Sequence, residues 1–335
     1  MSSWNDEELK NLFLHHTPLI DVRSPGEYLE GQIPFSVNLP IMNNEERVKI
    51  GTCYKEQGQE AAIKLGHELV RDKIKEERIE LWREYIRKNP GAEVFCFRGG
   101  LRSQIACEWI GHGKRPISGG YKRLRRYFLS WLDDAPLPEL IRIGGPTGSR
   151  KSDFIKHFDH VDLEHLAHHR GSAFGNLGTQ PTQITFENNL ALEFMKLEGK
   201  KIIIEDESAT LGKIILPKRL YQHLRQSPML VLEVPLEMRV QNIFDAYVKG
   251  RKEEFFLSSL EKIKKSLGGV NFLKIQGEMR EAFSQEEELA HHAVWIRSLL
   301  ANYYDPSYMR DIDRQGPLIL KRGNAEELLA WLRKA

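Results

Sequence analysis

Short apolar runs alternate with stretches of helical spacing along the whole chain. Pro18-Leu-Ile-Asp-Val22 reads as a strand closed by the breaker Ser24-Pro-Gly26, and Ser36-Val-Asn-Leu39 as a second short one. Between residues 58 and 88 the apolar positions fall at helix intervals, with Ala61, Leu65 and Leu69, then Leu81, Trp82, Tyr85 and Ile86. Pro90-Gly91 stops that pattern. Ala92-Glu-Val-Phe-Cys-Phe97 reads as a third strand, and a glycine turn leads from it into a helix over 103–110. An amphipathic stretch follows from Tyr121 to Leu132. The same grammar then repeats: strand 140–143, helix 151–158, buried strand 201–205, strand 229–234, a mostly helical region 236–310, and a strand 317–320 before a terminal helix. Strands alternating with helices predict parallel sheets covered on both faces.

The acidic, proline-containing segment Asp133-Asp-Ala-Pro-Leu-Pro-Glu139 separates the two halves. It predicts an N-terminal domain over 1–136 and a C-terminal domain over 137–335, both α/β, with the helical region as an extension of the second. A length of 335 residues agrees, since it exceeds one ordinary core of about 150. Charge changes the picture little: 49 Lys+Arg against 47 Asp+Glu leave +2, so a polyanionic partner must be met by a local patch. No apolar run approaches the ~20 residues that span a bilayer, and the acidic start, Met1 to Glu8, is expected to be no signal peptide. Three cysteines without a C-x-x-C pair suit a reducing compartment, so a cytoplasmic setting is expected.

Cys96-Phe-Arg-Gly-Gly-Leu-Arg102 lies where a strand ends and a helix begins. The amides of a tight glycine turn and the positive helix end make an anion cradle. A thiol at its mouth is favoured as thiolate by those dipoles and by Arg98 and Arg102, which makes Cys96 a candidate nucleophile with Gly99 and Gly100 as its turn. The plainer alternative, a core cysteine before a helix cap, suits Cys107 better. The ordered set Asp21-Val-Arg-Ser-Pro-Gly-Glu-Tyr28, Gly31-Gln-Ile-Pro34, the cysteine loop and Gly119-Gly-Tyr121 resembles the rhodanese pattern. That resemblance implies a persulfide or perselenide on Cys96. The C-x5-R spacing is one residue longer than the commonest sulfurtransferase loop and equals that of phosphatases sharing the fold, so phosphatase chemistry stays open on the loop alone.

Gly144-Gly-Pro-Thr-Gly-Ser-Arg-Lys-Ser152 follows a strand and opens a helix. From Gly145 it approaches G-x-x-x-x-G-K-[ST], in which amides and the lysine hold phosphates and the hydroxyl holds Mg2+. Arg150 replaces the last glycine, which argues against ordinary nucleotide hydrolysis. The expected diphosphate-binding residues are Gly145, Thr147, Gly148, Arg150, Lys151 and Ser152, with Glu205 and Asp206 as an acidic strand end for metal or water. Five of the 12 histidines fall within 157–169, but without a nearby cysteine or regular ligand spacing they predict no metal site. They read as polar groups near phosphate.

Between Trp109 and Leu132 the chain carries Lys114, Arg115, Lys122, Arg123, Arg125 and Arg126 and no acidic residue, with Tyr121, Tyr127 and Phe128 interleaved. Such a run is often a solvated helix face, but phosphate contact and base stacking with RNA suit Lys122, Arg123, Arg125 and Arg126. A rhodanese-like unit ahead of a P-loop NTPase-like unit, with Arg98-Gly-Gly-Leu-Arg-Ser103, Asp162-Leu-Glu164, His169-Arg-Gly-Ser172 and Glu205-Asp-Glu-Ser208, closely resembles the tRNA 2-selenouridine synthases over essentially the whole chain. The resemblance implies a tRNA partner, selenophosphate as selenium donor, and geranyl diphosphate as the source of an S-geranyl intermediate. It implies no firm cofactor beyond compatibility with Mg2+, and no membrane partner. A sulfurtransferase or phosphatase with a nucleotide-binding regulatory domain, and a binding module independent of Cys96, are the competing expectations.

Overall fold

The computed structural model describes residues 4–111 and 113–334. The chain divides into two compact units: Met1–Pro136 with Pro181–Lys196, and Leu137–Gln180 with Leu197–Ala335. The first division falls at the expected proline segment. The expected C-terminal domain also contained 181–196, whereas the helix Gln183–Lys196 lies in the first unit. A chain that leaves a domain for one helix and returns has no marker in linear order.

In the first unit β1 (Leu19–Asp21) is flanked by β2 (Ser36–Asn38) and β3 (Glu93–Phe95), all parallel, with Leu19 opposite both Ser36 and Glu93. Central β1 is buried throughout. Its Ile20 packs with Val94, Ala106, Ile110 and the fully buried Trp82, whose indole N–H donates to the Leu39 carbonyl at 2.9 Å. The helical spacing of 58–88 resolves into two helices, Gln59–Leu69 and Asp72–Lys88. A further helix, Asn44–Gln57, is fixed by a capping box between Asn43 and Glu46 and buries only Glu46 and Cys53. With no apolar stripe, its sequence carries no periodic signal. Helix Gln183–Lys196 is anchored by Asn188, which donates to the Gln32 carbonyl and accepts from Arg125. Gly31 is required there: an added Cβ would lie 2.5 Å from Ile184 and 2.6 Å from the Tyr121 hydroxyl.

The second unit holds five parallel strands, β4 (Glu139–Gly144), β5 (His160–Val161), β6 (Lys201–Glu205), β9 (Met229–Leu232) and β10 (Ile319–Gly323), in the order β10-β9-β4-β6-β5. A small antiparallel pair, β7 (Thr210–Leu211) and β8 (Ile214–Ile215), lies outside that sheet. The chain winds from β4 to β5 and β6 on one side and then to β9 and β10 on the other, so the direction of winding reverses at β4. Open α/β sheets form their binding crevice at such a point, beyond the carboxyl ends of the strands. Register fixes what meets there: Ile143 pairs with Glu205, and Gly144 with Val231. The region after β9 is helical, with a core of its own that includes Phe256, Leu260, Phe272, Ile275, Trp295 and Leu299. Among the described residues no helix is long and apolar enough to cross a membrane.

Candidate functional site

In the first unit, Cys96 follows β3 and opens the loop into the helix Leu101–Ile110. It is 3% exposed, and its Sγ lies 3.1 Å from the Ser103 hydroxyl and 3.9 Å from the Gly100 carbonyl oxygen. Two backbones meet at this loop. The Tyr121 N–H donates to the Cys96 carbonyl at 2.8 Å and the Lys122 N–H to the Phe97 carbonyl at 3.1 Å. Gly99, at φ +65°, makes the approach feasible, because an added Cβ would sit 2.6 Å from both the Gly119 nitrogen and the Ile117 oxygen. A Cβ on Gly120 would collide with the Cys96 carbonyl oxygen. The Gly119-Gly-Tyr121 motif is therefore a clamp on the cysteine loop.

Arg98 is exposed beside the thiol loop. Arg102 is held away from a free role: it donates to both oxygens of Glu27, at 2.7 and 3.2 Å, and Arg47 approaches the same carboxylate at 3.2 Å. Burial opposes a charge on Glu27, but the hydrogen bonds and charge of Arg102, the Ser24 amide and Arg47 outweigh it and hold the carboxyl at about 2. Glu27 was not singled out from sequence, although it stands in the Asp21–Tyr28 run. Behind it, Asp21 and Arg23 form a fully buried ion pair, with the Arg23 guanidinium 3.7 Å from the Tyr121 ring centre. Burial, then the charge of Glu93, pushes the Cys107 thiol up to about 12.

In the second unit the loop after β4 wraps the end of the helix Lys151–Ile155. Gly145 and Gly148 have φ of +154° and +87°. Arg150 occupies the left-handed region at φ +56°, the conformation a glycine would supply freely, and its side chain is half exposed, 4.0 Å from Asp245. The pattern thus keeps the backbone shape and adds a cation. Lys151 folds back over the loop to the Gly145 carbonyl at 3.3 Å. The helix Leu236–Ile243 braces the loop from outside: Asn242 donates to the Gly148 carbonyl, and Arg239, paired with Asp305, reaches the Thr147 carbonyl at 3.3 Å. Part of the helical extension, to which sequence assigned no chemistry, therefore shapes the loop.

Ser152 donates to Glu205 at 2.7 Å and lies 3.3 Å from Glu164. Glu164, Glu205 and Glu207 bring carboxylate oxygens within 4.8 Å of one another. Burial raises all three; the charge of Glu164 adds to it at Glu205 and at Glu207, which is pushed up to about 8, while at Glu164 the added repulsion comes from Asp162. Glu205 Oε2 is buried without a hydrogen-bond partner. An all-oxygen donor set with an unsatisfied oxygen fits a hard divalent cation such as Mg2+. Gly171, at φ +53°, closes over this cluster, since its Cβ would lie 2.7 Å from Glu207 Oε2. Asp206 is placed elsewhere, bound to Arg142 at 2.7 Å and to Arg225. Sequence named neither Glu164 nor Glu207 as a site residue, though both stand in the Asp162-Leu-Glu164 and Glu205-Asp-Glu-Ser208 runs. The histidine run forms no metal-ligand group among the described residues.

The basic run on the helix Gly120–Asp133 splits by role. Lys122 and Arg126 are exposed. Arg123 pairs with Asp6 at 3.1 Å, and Arg125 is engaged by Glu187 and Asn188 within the unit.

Residues 138–335 match the family model described as tRNA 2-selenouridine synthase AAA domain. Proteins named tRNA 2-selenouridine synthase are similar over nearly the full length. The Shewanella oneidensis protein is 38% identical, covering 97% of this chain and 94% of its own. That of Bdellovibrio bacteriovorus is 39% identical, with 96% of each chain covered. That of a Sulfurovum species is 40% identical over 98% of this chain and 97% of its own.

Proposed function

The chain belongs to the tRNA 2-selenouridine synthase family, and from that premise we propose that its two units divide one modification of tRNA into two steps. The protein is a transferase that forms 2-selenouridine at the tRNA wobble position. In the first step the phosphate loop binds geranyl diphosphate and the sulfur of 2-thiouridine takes the geranyl group. A C–S bond forms, the C–O bond breaks, and diphosphate leaves with the electron pair. In the second, at the rhodanese-like unit, selenium from selenophosphate displaces the S-geranyl group in a transfer centred on Cys96. Alkylation turns a doubly bound sulfur into a thiolate leaving group, which explains why an alkyl donor precedes the exchange.

The carrying observation is the phosphate loop that ends on an acid cluster, with Lys151 over the loop and Ser152 hydrogen-bonded to Glu205. Lys151 and Arg150 would bind the diphosphate and stabilise the charge it gains on leaving. Ser152, Glu164, Glu205 and Glu207 would hold a divalent cation, which supplies further neutralisation of diphosphate when bound. Three free cysteines support a reducing, cytoplasmic setting.

The test separates the steps. Lys151→Ala should lower geranylation of 2-thiouridine tRNA about a hundredfold or more, while selenation of supplied S-geranyl tRNA is largely kept. Equal loss of both steps in a folded variant, read by nucleoside mass, overturns the division.

A further inference from the structure

Resting on that reading, we propose that the cavity beside Cys96 receives the geranyl chain of the S-geranyl base during selenium exchange. The cavity has a volume of about 980 Å³ and lies wholly within the first unit. Residues from the helices Asn44–Gln57, Gln59–Leu69 and Leu101–Ile110 line it, and Cys96 stands in its wall. Its size sits near the top of the ~300–1,000 Å³ common for small-molecule pockets. Neither selenophosphate nor a pyrimidine ring calls for so much hydrocarbon lining. Ile41, Ile50, Ile63, Leu101, Ile105 and Trp109 supply an apolar wall suited to a branched alkenyl chain.

Charge complementarity points the same way. Arg98 and Lys55 also border this cavity, so one space offers cations for phosphate groups and an apolar wall for hydrocarbon. An S-geranyl nucleotide meeting selenophosphate presents both. Seating the chain here places C2 of the base at the thiol loop. The C2–Se bond forms as the C2–S bond breaks, geranylthiolate leaves with its electron pair into surroundings that suit its tail, and water then cleaves the Se–P bond, releasing phosphate and leaving selenium on C2.

Gly66 lines this cavity from the helix Gln59–Leu69, and a Cβ there would meet only Ile50 Cδ1, at 3.6 Å. Gly66→Phe therefore fills the cavity without disturbing the sheet. The full-length protein is assayed with selenophosphate on two tRNAs, one carrying S-geranyl- and one S-methyl-2-thiouridine. The ratio of kcat/KM for the geranyl over the methyl substrate should fall about tenfold or more, within the range that pocket-filling commonly costs. Gly51→Leu, where an added Cβ meets nothing within 4 Å, is the second variant should Gly66→Phe fold poorly. An unchanged ratio in a folded variant overturns the pocket while leaving the two-step reading intact. Failure of the unaltered protein to selenate S-geranyl tRNA overturns both.

Discussion

Glu27 and Arg102 stand 75 positions apart in the chain, yet Arg102 donates to both carboxylate oxygens of Glu27 beside the Cys96 loop. The helix that follows the nucleophile is thereby tied to the helix Pro25–Glu30, whose own start is set by the Ser24–Glu27 capping box. Arg102 orients the cradle through Glu27 and is not a loose cation aimed at the thiol.

Glu27→Gln should destabilise the protein by about 1–3 kcal/mol, because it leaves Arg102 and Arg47 without their shared anion. The folded carboxyl sits at about 2, below its ordinary 4.5. Its contribution is therefore fully present above 4.5 and lost as pH falls towards 2. Urea unfolding across that window should show a steeper loss in the unaltered protein than in the variant. Parallel curves would mean the pair contributes nothing that titrates.

Cys96→Ser keeps the loop shape but replaces the thiol with a hydroxyl that stays protonated. It should fold and bind tRNA, lose selenation, and accumulate S-geranyl tRNA. Cys107→Ser should retain most activity, since burial pushes that thiol up to about 12 and leaves it a packed core group. Cys53→Ser should also be active. Full selenation by Cys96→Ser, measured by nucleoside mass, would remove Cys96 from the reaction.

Sequence revealed most where one segment carries its own signal. The apolar run Ile202-Ile-Ile204 forms the middle of β6, and both loops lie at strand-to-helix junctions as their glycines imply. It revealed least where residues distant in the chain meet. Glu164 joins Glu205 and Glu207 only through the fold, and Asp206, between those two, turns to Arg142 and Arg225 instead. Two-residue β5 is too short for periodicity, and Asn44–Gln57 is too polar for it. The basic run read as uniform because its partners, Asp6 and Glu187, lie far from it in the chain.

Arg150→Gly exchanges a strained residue for one at ease in the left-handed region. It should raise stability by roughly 1 kcal/mol and yet slow geranylation by removing a cation from the diphosphate site. Thermal unfolding and single-turnover geranylation read the two effects separately. A variant both less stable and fully active would contradict both halves.

On the helix Gly120–Asp133 the exposed basic residues are Lys122 and Arg126, whereas Arg125 is spent on Glu187 and Asn188. Lys122→Glu with Arg126→Glu should weaken tRNA binding and lower the slope of log affinity against log salt. The slope should drop by about 0.7–0.9 for each phosphate no longer neutralised, because fewer counterions are released on binding. Arg125→Ala should behave differently: it removes an anchor of the helix Gln183–Lys196, so stability falls while the salt slope changes little. Binding isotherms at several salt concentrations, with urea unfolding of each variant, distinguish the two roles. An unchanged slope in the double variant would return Lys122 and Arg126 to an ordinary solvated surface.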